Sequence, residues 1–208
     1  MTVAPARPRP DLGTLLRYRT IDLVTVATLS VAFGVVFWGW NQLYAVITAG
    51  LAIGFPPAGG LLNGPWLLAG VVGGLVVRRP GAALGTELGA AVVSGLLGSQ
   101  WGLSVVVSGL VQGLGAELVL AVLLWRRFGV VPAVLAGALS GVIGGFYEGF
   151  AYYSDWNPLW RLSYMGFFAV SGAVVAGVGG WLLVRALART GALDSFGAGR
   201  EHHAARTV

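Results

Sequence analysis

The 208-residue chain contains no cysteine, which excludes disulfides, thiol chemistry and cysteine-ligated metals. It contains no lysine either: all thirteen basic residues are arginine. A phosphate-binding P-loop needs its lysine, so the chain does not hydrolyse nucleotide through that motif, and ATP-driven work would fall to another chain. Its two histidines are adjacent, His202 and His203, near the end of the sequence. No Ser-His pair and no His-Glu-x-x-His zinc motif stands elsewhere, so the reading is not an enzyme, has no cofactor and has no metal site. Charged residues are scarce, at 10%.

What fills the sequence is apolar. Hydrophobic residues make up 56% and the mean hydropathy is +0.80, beyond what a water-soluble domain of this length uses. The reading is therefore a multi-pass α-helical membrane protein, with the lipid bilayer as its solvent. A pI near 10.2 is explained by arginines flanking apolar runs, as the positive-inside rule requires, rather than by a nucleic-acid partner.

Residues 1–18 read as a disordered cytoplasmic segment, 19–190 as the membrane bundle and 191–208 as a disordered cytoplasmic tail. Crossings are expected over residues 21–38, 65–77, 82–97, 103–125, 131–150 and 160–187. Six crossings put both termini in the cytoplasm and the arginine clusters on the inner side. Arg161, beside an aromatic outer loop, is the exception. Residues 43–55 are apolar but short and are broken by Pro56 and Pro57, so they read as a partial or re-entrant segment on the outer side. Pairs of small residues one turn apart (Ser30 and Gly34, Gly70 and Gly74, Gly109 and Gly113, Gly141 and Gly145) mark faces for close helix packing.

Two apolar segments carry carboxylates in their interiors, Glu87 and Glu117. Ionisable groups at that depth are costly and mark function. At about 1.5 Å per residue, Glu87 lies roughly 12 Å from Arg79 and Glu117 roughly 13–14 Å from Arg126, so both are expected near mid-membrane. Gln112 and Glu148 lie further out, and Gln100 and Trp101 sit at the outer turn. They form a column opening outward, topped by Trp38, Trp40, Asn41, Tyr147, Tyr152, Tyr153 and Trp156, of which Trp38, Asn41, Tyr147 and Tyr152 join them as candidate substrate-binding residues. Carboxylates and aromatic faces suit a cationic, aromatic ligand. Each residue also has a structural alternative: Glu117 as a hydrogen-bonded interhelical group, Gln112 as interhelical glue, and Trp66, Trp125 and Trp181 as interface anchors.

The run Arg78-Arg79-Pro80-Gly81-Ala82-Ala83-Leu84 with Glu87, the turn Leu96-Leu97-Gly98 and the run Val111-Gln112-Gly113-Leu114-Gly115-Ala116-Glu117 resemble the YkoE family. These are substrate-binding S components of energy-coupling factor (ECF) vitamin transporters. The resemblance implies an ECF S-component fold and an outward-facing pocket for thiamine or its hydroxymethylpyrimidine moiety. It implies a membrane-embedded T component and cytosolic ATPase subunits as partners. It assigns substrate contacts to Glu87, Gln112, Glu117 and Glu148. A stand-alone proton-coupled carrier is the alternative from another class.

Overall fold

The computed structural model describes residue 13, residues 16–50 and residues 54–204; all but four residues of the N-terminal segment expected to be disordered lie outside these. Helix α1 (Thr20–Gly50) is followed by two 3-10 turns, Pro56–Leu62 and Gly64–Leu67, the second running into α2 (Leu68–Val77). Then come α3 (Ala82–Leu96), α4 (Ser104–Val122) and α5 (Val130–Ala151). The last long apolar helix is composite: α6 (Pro158–Ser171), a π-helical stretch Gly172–Gly179 and α7 (Gly180–Arg189). A short α8 (Gly197–Ala204) ends the described chain. No strand occurs among the described residues.

Four helices are long and apolar enough to cross a bilayer, and a fifth crossing is made if Pro56–Leu62 and Gly64–Val77, bent by 45°, count as one span. Helix α3 is apolar but has only 15 residues. It packs against α1, α2 and α4.

The first helix differs from its expected form. It does not end at Trp38, and residues 43–50 are not a separate re-entrant piece; they continue α1 through Gly50. Tryptophan, tyrosine and β-branched residues are all tolerated in an apolar helix, and no glycine-proline break precedes residue 50. The irregular backbone lies further on, where Pro56, Pro57 and Pro65 remove amide donors and fix φ. Their 3-10 turns are tied down by side chains: Trp40 Nε1 donates to Leu62 O (3.0 Å), Ser171 Oγ to Leu61 O (2.6 Å), and Gly64 N to Ser171 Oγ (2.9 Å). Backbone groups freed at membrane depth are thus satisfied inside the protein.

One face of α1 carries Asp22, Ser30, Phe33, Phe37 and Asn41, all buried; Ser30 to Asn41 are spaced three or four residues apart and Asp22 stands about two turns earlier, the spacing of one helical face. The small-residue pairs all pack within the bundle. Gly109 and Gly113 meet α3, Gly141 and Gly145 meet α6, Gly70 and Gly74 meet α3, and Ser30 and Gly34 meet α3. Residues 191–204 also differ from the expected disorder. Leu193, Phe196 and Ala198 are buried, and Arg78 holds Glu201 of α8 through two hydrogen bonds of 2.6 and 2.7 Å. His203 pairs with Asp194 (2.9 Å).

Candidate functional site: an acidic and aromatic cavity

A cavity of about 260 Å³ opens between α1, the 3-10 segment, α3, α4, α5 and α6. It lies toward the end of the bundle away from Arg78, Arg126 and Arg185. Of the residues expected to bind substrate, Glu87, Gln112, Glu148, Asn41, Trp101 and Tyr152 line it. Glu117, Gln100, Trp38 and Tyr147 do not.

Glu87 is held in a slot made by missing side chains. A Cβ on Gly70 would stand 3.1 Å from its Oε2, and one on Gly113 3.0 Å from its Cβ. Oε2 accepts a hydrogen bond from Gly70 N at 2.6 Å. Gly70 is in the first turn of α2, where amides lack an intrahelical acceptor and the helix dipole favours an anion. The other oxygen, Oε1, is buried and has no hydrogen-bond partner among the described residues. One oxygen of Glu87 is therefore structural and one is unsatisfied at the cavity wall. A buried unsatisfied acceptor costs about 1–3 kcal/mol, and this one stands at the wall of the cavity.

Glu148 is the second carboxylate. Its Oε1 accepts from Gln112 Nε2 (3.3 Å), and its Oε2 from Tyr164 Oη (2.5 Å) and Asn63 Nδ2 (3.4 Å). Asn63 Nδ2 also donates to Tyr164 Oη (2.6 Å). Asn63 stands between the two 3-10 turns, so the irregular backbone delivers a polar side chain to the cavity.

Above the carboxylates the walls are aromatic. Tyr44, Trp66 and Trp101 form a mutual cluster with ring centroids 5.1, 5.7 and 5.3 Å apart, within the range of favourable aromatic pairs. Trp66 is fixed by its Nε1 donating to Asn41 Oδ1 (2.8 Å), and Asn41 Nδ2 reaches Ser94 Oγ (3.2 Å) and Ser99 Oγ (3.3 Å). Tyr153 lines the opposite side and stacks on Trp156 at 4.0 Å.

The residues left outside have physical reasons. Glu117 turns toward the arginine-rich end. Its Oε1 accepts from Gly81 N (2.7 Å) and Trp125 Nε1 (2.9 Å), and its Oε2 from Ala83 N (3.0 Å) and Leu84 N (3.2 Å). Gly81, the N-cap of α3, has no side chain to cap that helix, and Glu117 supplies the acceptor from α4. The expected equal depth of the two carboxylates thus gives way to different tasks. Trp38 is 36% exposed on the helix face next to Phe37. Gln100 is exposed in the α3–α4 turn. Tyr147 packs edge-on against Tyr152 (5.9 Å) behind the wall.

Loss of the Glu117 carboxylate is expected to destabilise the bundle by about 1–2 kcal/mol, the range for an N-cap. Glu117→Ala lowers the melting temperature in detergent and leaves ligand affinity unchanged. Loss of binding at unchanged melting temperature would contradict that role.

Sequence reasoning missed Tyr44, Asn63, Trp66 and Tyr164 as lining residues, whereas Tyr153 belongs to the aromatic outer group that it singles out. Trp66 was expected as an interface anchor. Asn63 was recoverable as a polar residue inside an apolar, proline-broken stretch.

Residues 21–143 match the model of a family described as the permease component of an ABC-type cobalt transport system. The chain is 33% identical over 187 residues, 88% of this chain and 92% of the relative, to a provisionally named HMP/thiamine permease protein, YkoE, of Bacillus subtilis (strain 168). It also matches the crystal structure of an S component of an ECF transporter, with a TM-score of 0.85 and 32% identity, over 92% of this chain and 96% of that one. The family and the fold are those of membrane transport proteins rather than enzymes. With the relationship extending over nearly the whole sequence and the whole helical architecture, the chain belongs to the YkoE family of ECF-transporter S components.

Proposed function

We propose that this chain binds thiamine in the cavity between Glu87, Glu148 and the Tyr44–Trp66–Trp101 cluster, for ATP-driven uptake with a T component and ATPase subunits. The observation that carries the reading is the pairing of carboxylates with aromatic faces in one cavity. Thiamine joins a permanently cationic thiazolium to an aminopyrimidine. An aromatic cluster attracts the cation and stacks on a ring. The unpartnered Glu87 Oε1 accepts from an amino group. Gln112, Asn63 and Tyr164 around Glu148 supply further donors and acceptors. The name of the Bacillus subtilis relative, which couples HMP with thiamine, supports the same substrate class.

The membrane arrangement belongs to the same proposal. Helix α1, the bent Pro56–Val77 unit, α3, α4, α5 and the α6–α7 unit make six crossings. The 15 residues of α3 rise about 22 Å, less than a bilayer core of about 30 Å, and protein on several sides compensates. An even number of crossings puts both termini on one side, and the arginines assign that side to the cytoplasm. The cavity mouth then faces outward in the plasma membrane, with Trp38 and Trp101 near the outer interface.

Hydroxymethylpyrimidine is the second reading, favoured by the Asn63–Gln112–Tyr164 cluster, which suits the pyrimidine edge that both molecules carry. Trp66 and Trp101 report on the choice. Thiamine is expected to quench tryptophan fluorescence saturably, with the effect reduced in Trp101→Phe. A thiazole-bearing competitor reverses the quench under the thiamine reading. A pocket for the pyrimidine alone ignores it. Liposomes holding this chain without ATPase subunits are expected to show no proton-driven uptake.

A further inference from the structure

A second cavity, of about 220 Å³, lies at the arginine-rich end. Its walls are the end of α2 (Leu75, Arg78), the α4–α5 turn (Phe128, Gly129), α7 (Trp181, Arg185) and α8 (Glu201). Nothing in the transport chemistry described above uses it.

Its two guanidinium groups are held in place by aromatic rings. Arg78 Cζ lies 4.3 Å from the Phe128 ring centroid and Arg185 Cζ 4.8 Å from that of Trp181. Arg78 adopts a left-handed backbone (φ 57°) as the cap of α2, which turns its side chain back along the helix end, where Nε donates to Leu75 O (3.1 Å). Its two terminal nitrogens grip Glu201. That carboxylate belongs to an exposed side chain (64%) on the short terminal helix. Arg185, by contrast, has no hydrogen bond or ion pair among the described residues. Its side chain is exposed, one turn beyond Trp181, and the neighbouring Leu182 and Leu183 are exposed large apolar residues that face lipid in a membrane bundle. Tryptophan with arginine one turn further marks the level of the headgroups.

We propose that this cavity is a site for the phosphate of an anionic phospholipid of the cytoplasmic leaflet, with Arg185 as the standing contact and Arg78 as a contact shared with Glu201. Two guanidinium forks match phosphate oxygens bidentately, and basic pockets between helices on the cytoplasmic side take such headgroups. Glu201 already occupies Arg78 with a pair of oxygens spaced like those of a phosphate. The headgroup therefore competes with the terminal helix, and lipid binding and α8 docking are linked in opposite directions.

The test uses the full chain in neutral detergent, with melting temperature read while phosphatidylglycerol, phosphatidylcholine or inorganic phosphate is added. Phosphatidylglycerol is expected to raise the melting temperature by several degrees, a shift consistent with ligand linkage, and phosphatidylcholine to leave it unchanged. Arg185→Gln abolishes the shift. Glu201→Gln enlarges it, because the internal competitor is gone, and this variant keeps the test decisive if Arg185→Gln folds poorly. An equal shift from inorganic phosphate would overturn the lipid assignment in favour of a soluble phosphate. Equal responses to the two lipids, or an unchanged response in both variants, would overturn the site.

Discussion

Glu87→Gln is expected to weaken thiamine binding by roughly ten- to a hundredfold, the equivalent of leaving a buried donor without its acceptor, about 1–3 kcal/mol. The bundle should remain folded. The amide oxygen keeps the contact with Gly70 N that the carboxylate makes at 2.6 Å, so α2 retains its acceptor. The change falls on Oε1, the atom without a partner. There an acceptor is replaced by an NH₂ donor, and the ligand's amino group is left facing another donor. Titration of detergent-purified variants measures the effect. Equal affinity for wild type and variant, at equal melting temperature, would show that Glu87 does not touch the ligand.

Gly137→Val is expected to abolish monodisperse protein. A Cβ at Gly137 would lie 2.2 Å from Gly172 O and 2.9 Å from Gly177 N. Both are backbone atoms of the π-helical stretch Gly172–Gly179, so no side-chain rotation relieves the contact. Overpacking against side chains costs about 1–3 kcal/mol, and here α5 must separate from the last helix instead. Gly166→Ala is the control, because nothing lies within 4 Å of a Cβ there. Size-exclusion profiles and melting curves compare the two. A Gly137→Val protein as stable as Gly166→Ala would mean that the two helices do not approach as closely as described.

Much of the fold is legible in the sequence because the bilayer leaves few options. Apolar runs bounded by arginines can only be helices ending at an interface, and α4 and α5 lie close to where those boundaries place them. The start of the chain's irregular segment was misplaced for a definite reason. Hydropathy does not distinguish a helix that continues past an aromatic belt from a new segment, so the extension of α1 to Gly50 was invisible, whereas the prolines at 56, 57 and 65 do the breaking. The π-helical stretch is equally silent, since its glycines read only as small packing residues.

The cavity was half legible. Glu87, Gln112 and Glu148 stand out as polar groups in apolar helices. Depth alone could not separate Glu87 from Glu117, because the difference is made by partners distant in sequence: Gly70 in the first turn of α2, and Gly81, Ala83 and Leu84 at the start of α3. Both carboxylates cap a helix across the bundle. Only Glu87 keeps an oxygen at the cavity.

The most direct test of the account is isothermal titration of the detergent-purified chain with thiamine and then with hydroxymethylpyrimidine. Saturable one-site binding of thiamine, at least about tenfold tighter than the pyrimidine, or about 1.4 kcal/mol, is the predicted result. It would assign the aromatic contacts to the thiazolium half. No heat with either molecule would contradict the assignment of the cavity to this vitamin.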